Sequence, residues 1–124
     1  MPDWQTFCKG STNLSVNGEV IDVMTTETRR HRIVVRDMPD VFELTGVVIR
    51  TSAVEKIPDV SLRIWRRNRA TELIGFKVDQ KGRLVGEAWI PKAGLSRDEF
   101  LFYVKHFASE CDLFEYHLTG QDRE

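Results

Sequence analysis

The 124-residue chain is 41% hydrophobic and 30% charged, ordinary globular proportions that argue against a disordered polyelectrolyte or a fibrous repeat. Its formal net charge of −1 gives no global pull toward phosphate backbones or anionic membranes, which leaves local basic patches as the only electrostatic route to either. Cys8 and Cys111 lie far apart and form no C-x-x-C pair, so a zinc knuckle or redox dithiol is not indicated; two buried thiols in a reducing cytoplasm are expected, with a single disulfide between them as the alternative.

From Met1 to Gly10 there is no basic region followed by an apolar run, and no later segment approaches the roughly 20 apolar residues of a membrane span. One domain over residues 1–124 is expected, in the cytoplasm, without a membrane. Residues 1–17 mix Trp4, Phe7 and Leu14 with polar residues at no sustained period, and read as irregular or as a short edge segment. Asn17-Gly18 is a tight-turn dipeptide, and Val20–Met24 after it reads as the first strand.

Arg30–Arg36 places His31, Ile33 and Val35 on one side and Arg30, Arg32, Val34 and Arg36 on the other, a strand with one wet face. Asp37-Met38-Pro39-Asp40 has turn chemistry. Val41–Thr51 is rich in β-formers, with Gly46 as a candidate bulge. Pro58-Asp59 breaks the β pattern, and Val60, Ile64 and Trp65 recur at helical spacing over Asp59 to about Asn68. Ile74, Phe76 and Val78 alternate before the turn Gln80–Arg83, and Leu84–Ile90 is the returning strand of a hairpin. Ser96 and Glu99 form a capping box, which starts a helix whose apolar stripe includes Phe100, Val104, Phe107 and Cys111 and which stops near Gly120. The order β-β-β-α-β-β-α predicts an α+β fold, an antiparallel twisted sheet of about five strands with helices packed on one face.

The run Asn68, Phe76–Asp79, Lys81–Val85, Glu87-Ala88, Ile90-Pro91, Gly94-Leu95, Glu99-Phe100 and Cys111-Asp112 resembles the YbjN family, which shares the type III secretion chaperone-like fold. The resemblance extends over about Arg29 to Asp122. That family opens on an N-terminal helix, whereas residues 2–17 here make a poor one. What the resemblance implies is a sheet-and-helix scaffold, often dimeric, used for binding other proteins. It supplies no catalytic residues.

No chemical constellation displaces that expectation. His106 and His117 are eleven residues apart on one predicted helix, about 16 Å of rise, so they cannot share an ion, and no metal or cofactor is predicted. Asp98-Glu99 is accounted for by helix capping, and Asp112 with Glu115 is assigned to a solvated helix side. Serine-nucleophile, phosphate-loop and H-E-x-x-H motifs are absent, so an enzyme is not expected. Arg30, Arg32, Arg63, Arg66 and Arg67, with Trp65 beside the second cluster, give the alternative of a nucleic-acid footprint. The plainer reading of these arginines is a solvated face neutralised by nearby carboxylates.

Along the second hairpin strand, Val85, Glu87 and Trp89 fall opposite Leu84, Ala88 and Ile90, which places Trp89 on an open sheet face or under the N-terminal segment. Trp65, Val85 and Trp89 are therefore the candidate contacts of a module that binds another protein or peptide and forms a homodimer.

Overall fold

The computed structural model describes residues 3–25 and 29–120. Six strands form one antiparallel sheet: β1 Leu14–Asn17, β2 Val20–Met24, β3 Arg30–Asp37, β4 Val41–Ile49, β5 Gly75–Val78 and β6 Leu84–Pro91, in spatial order β1-β2-β3-β4-β6-β5. The helices are α1 Trp4–Cys8, α2 Thr51–Val54, α3 Val60–Ala70 and α4 Arg97–Thr119. The α+β antiparallel architecture is the one expected. The sixth strand is β1, because Asn17-Gly18 turns between two strands and does not merely precede one; Gly18 takes φ 64, which suits glycine.

The N-terminal segment is also more ordered than its composition suggests. Only five residues are helical in α1, too few to show a period, yet Trp4 and Phe7 are buried with ring centroids 6.4 and 5.4 Å from Phe100. Tertiary packing onto the start of α4 holds this turn of helix. It covers the helix side of the sheet and leaves Trp89 open.

Period-two alternation decides which side of each strand is buried. Ile21, Val23, Ile33, Val35, Phe42, Leu44, Phe76, Leu84, Ala88 and Ile90 point into one core, against Phe100, Val104, Phe107, Cys111, Phe114 and Leu118 of α4. Each large side chain so buried contributes about 1.5–3 kcal/mol. The predicted capping box closes the start of α4: the Glu99 N–H donates to Ser96 Oγ at 3.1 Å, and Glu99 Oε1 accepts from the Ser96 N–H at 2.9 Å.

Gly46 is not the bulge. It pairs in register with Gly86, and the irregularity falls between Val47 and Ile49. The two glycines serve close approach instead: a Cβ at Gly46 would lie 3.1 Å from the Phe107 ring, and one at Gly86 would lie 3.0 Å from Cys111 Sγ. A bare trough across β4 and β6 lets α4 sit down on the sheet. The strand expected to run to Thr51 stops at Ile49, and Thr51 opens α2. There its hydroxyl donates to the Lys81 carbonyl at 2.7 Å.

Edge strand β5 is closed by a side chain. Asn68 of α3 accepts from the Phe76 N–H at 2.8 Å and donates to the Phe76 carbonyl at 3.0 Å, imitating a strand neighbour.

Candidate functional site

Among the described residues, no helix lies on one face of the sheet. Reading across the strands in register, Val20, Val34, Thr45 and Glu87 form a row, Glu43 and Trp89 lie beside it toward one end, and Val47 and Val85 toward the other. Val34 and Val47 are exposed, as is Trp89, at 57%. This apolar centre is ringed by ion pairs between neighbouring strands: Arg32 with Asp22 at 3.2 Å, Arg36 with Glu43 at 3.2 Å, and Lys77 with Glu87 at 2.9 Å. Glu87 holds the Lys77 ammonium above its ordinary range, first by hydrogen bonding and then by charge. The Trp89 indole N–H donates to Glu43 at 3.0 Å, which fixes the ring over the face while leaving its surface bare.

The face therefore has an apolar middle and a polar rim, the anatomy of a protein-interaction patch. It is also irregular. The β3–β4 register ends at Val34↔Thr45, so the first residues of β3 pair only with β2 and the last residues of β4 only with β6. A hollow of about 640 Å³ occupies this parting, lined in part by Arg32, Val34, Thr45 and Val47.

The three sequence-predicted contacts do not converge. Trp89 lies on the open face. Val85 points to the same side but is only 2% exposed, so it cannot present a contact surface. Trp65 is 55% exposed on α3, where Arg69 stacks over its ring at 4.9 Å. Helix α3 buries Ile64 alone among its described residues and stands beside β5.

The arginines are likewise divided. Arg30 and Arg32 project from β3 on the open face, with Arg32 held by Asp22. Arg63, Arg66 and Arg67 belong to α3 and line a smaller hollow with Phe114 and His117. Within it, Arg67 bonds Glu110 at 2.8 Å and Arg63 donates to the His117 carbonyl at 2.8 Å. Among the described residues the two clusters form no continuous basic stripe, and several members are already engaged with carboxylates or carbonyls.

A cluster that spacing could not reveal lies between β3 and α4. His31 Nε2 is 3.4 Å from Asp112 Oδ1 and 3.7 Å from Glu115 Oε1, and the ligand atoms of the three residues lie within 4.8 Å of one another. The carboxylates assigned to a solvated helix side are in fact half-buried against the sheet. These three side chains are a set that could hold a divalent cation. The Arg29 guanidinium, 2.8 Å from Asp112, already supplies positive charge there. His31 and Asp112 are 81 residues apart in sequence, so only the fold brings them together.

No helix among the described residues is long and apolar enough to cross a membrane. Cys8 and Cys111 are free and buried. Burial pushes the Cys8 thiol up to about 11 and that of Cys111 higher still.

No family model matches the sequence, and no curated protein matches it. Solved structures do. YbjN from E. coli superposes with a TM-score of 0.67 at 11% identity, over 98% of this chain and 94% of the other. The heterodimeric ExoU–SpcU complex from the type III secretion system of Pseudomonas aeruginosa contains a chain that matches with a TM-score of 0.59 at 13% identity, covering 84% of this chain and 86% of that one. The ExsC–ExsE complex contains another, with a TM-score of 0.50 at 15% identity, covering 88% of this chain and 84% of that one. At such identities the likeness is one of fold: this chain has the β-sheet-and-helix architecture of YbjN and of chains found in two protein–protein complexes.

Proposed function

We propose that this chain is a small non-enzymatic protein-binding module, chaperone-like or regulatory and acting in the cytoplasm as a homodimer, whose open sheet face holds a segment of another polypeptide. The observation that carries the reading is the uncovered apolar patch of Val34, Val47 and Trp89 inside a ring of ion pairs. Its shape and chemistry suit an extended or helical segment with an apolar side pressed onto Trp89 and a polar side meeting the rim. Strand addition is less suited to the β5 edge, because Asn68 already occupies the Phe76 backbone. That two of the similar folds occur in protein–protein complexes supports the same reading.

The test uses peptides selected by display against the intact protein. Trp89→Ala is expected to lower the affinity of the selected peptides at least tenfold, about 1.4 kcal/mol, whereas Trp65→Ala leaves it unchanged. Equal affinity for wild type and Trp89→Ala removes the face from the proposal. Salt separates the remaining alternative: an apolar face responds weakly between about 50 and 200 mM salt, whereas phosphate contacts through Arg30, Arg32, Arg63, Arg66 and Arg67 lose affinity by orders of magnitude.

A further inference from the structure

A histidine from a strand and two carboxylates from a helix converge at the parting of β3 and β4. Asp112 and Glu115 are three residues apart on α4, so the helical period puts both on one side of it, where each is half-buried beside His31. His31 stands on the core-facing parity of β3 and is 9% exposed. One imidazole nitrogen and two carboxylate oxygens thus lie within 4.8 Å of one another. Two carboxylates so close disfavour each other's charge unless a cation stands by them. In this structure that cation is the Arg29 guanidinium, 2.8 Å from Asp112 and 3.9 Å from Glu115.

We infer that His31, Asp112 and Glu115 form a binding site for a divalent transition metal, zinc being the best-suited ion, and that Arg29 is the cation the metal displaces. Geometry carries the inference. Zinc holds nitrogen and oxygen ligands at about 2.0–2.2 Å, which in a tetrahedron sets neighbouring ligand atoms about 3.4 Å apart. His31 Nε2 lies 3.4 Å from Asp112 Oδ1 and 3.7 Å from Glu115 Oε1. Two edges of the tetrahedral face are therefore near their final length, and the third closes by turning a carboxylate, without moving β3 or α4. The imidazole in the donor set favours zinc and its neighbours over magnesium and calcium, which take oxygen shells. The hollow between β3 and β4 is lined by both His31 and Glu115, which gives an ion its way in and leaves a fourth coordination position to water.

Displacing Arg29 is affordable. It precedes β3, so its side chain can swing outward without breaking a strand pair, and with a quarter of that side chain exposed its ion pair is a partly solvated one of small worth. Arg32 and Arg83, which also line the hollow, are paired with Asp22 and Asp79, and this tempers their repulsion of an entering cation. What the ion would do follows from where it sits. The first residues of β3 pair with β2 and not with β4, so a metal joining His31 to two residues of α4 ties that parted end of the strand to the helix. Because the folded chain alone assembles the three ligands, metal binding stabilises it. The site stands apart from the open-face reading: its ligands lie on the helix side of the sheet, and Trp89 lies on the other.

The test is calorimetric titration of the full chain, free of any histidine tag and stripped with chelator, with Zn²⁺ and separately with Mg²⁺. One equivalent of Zn²⁺ should bind, at least about a hundredfold more tightly than Mg²⁺, and should raise the thermal midpoint. His31→Gln and Asp112→Asn should each weaken Zn²⁺ binding at least about tenfold, whereas His106→Gln and His117→Gln leave it unchanged. Arg29→Gln should tighten it, because the competing cation is gone; a cluster that served only as an ion-pair network would gain nothing from that change. Should the His31 or Asp112 variant fold poorly, the nitrogen resonances of the three imidazoles in the wild-type chain give the answer directly, with zinc shifting those of His31 alone. Absence of Zn²⁺ binding up to about 1 mM overturns the inference. So does binding that is indifferent to His31→Gln, weakened by Arg29→Gln, or seen at the imidazole of His106 or His117 instead. Trp89→Ala should leave Zn²⁺ binding untouched, so failure here and failure of the open-face reading are separately visible.

Discussion

The two faces of the sheet are built from the same strands and differ in every physical respect. On the helix side, side chains of β2, β3, β4 and β6 meet the stripe of α4 with almost no exposed area, and glycines appear where even a methyl group would collide. On the other side, paired charges alternate with valines and a tryptophan that nothing within the described chain covers. One face is filled to interior density and the other is furnished for contact with something else. Stability and recognition are thus separated by one step along each strand, and substitutions should separate them too.

The sharpest way to break the comparison is at Phe100, fully buried where the rings of Trp4, Phe7 and Phe42 meet. Phe100→Ala should cost about 3–5 kcal/mol in urea unfolding and release α1 as well. By contrast, Trp89→Ala should change stability by less than about 1 kcal/mol while removing peptide capture. A loss at Trp89 comparable to that at Phe100 would mean that the open face is structural. Next in size is the trough: Gly86→Val drives a branched side chain against Cys111 Sγ and Phe76, at an expected cost of about 1–3 kcal/mol in the urea midpoint.

How much of this was legible in the sequence follows from the range of each interaction. Strand β3 and the hairpin of β5 and β6 were readable because alternation is a nearest-neighbour property: His31, Ile33 and Val35 are buried as their parity requires. The ends of α4 were readable because Ser96, Glu99 and Gly120 act locally. Helix α1 was not, since five residues cannot display a period and its helicity depends on Phe100, more than ninety positions away. Gly46 looked like a bulge because glycine in a strand has two uses, and only the position of Phe107 selects between them.

Among the site residues, parity put Trp89 on the sheet face opposite Ile90 and left open whether the N-terminal segment covers it, and the burial of Val85 was not visible from parity alone.

The smallest expected effect tests the buried side through protons. Cys8 ionises at about 11 in the folded chain against an ordinary 9.0, because burial disfavours the thiolate; Arg97 opposes this only in part. Below the ordinary value the thiol is neutral in both states and its contribution to stability is complete. As pH rises past 9.0 the unfolded chain begins to lose the proton while the folded chain retains it, so stability falls until the folded thiol also ionises near 11. Between pH 8 and 10 this group should account for about 1 kcal/mol of the decline in unfolding free energy, and Cys8→Ala should flatten that decline by the same amount. The exposed Lys77–Glu87 pair on the opposite face should add little over the same interval, because both groups are solvated. An unfolding profile that is equally steep with and without the Cys8 thiol would mean that α1 does not seal its side of the core.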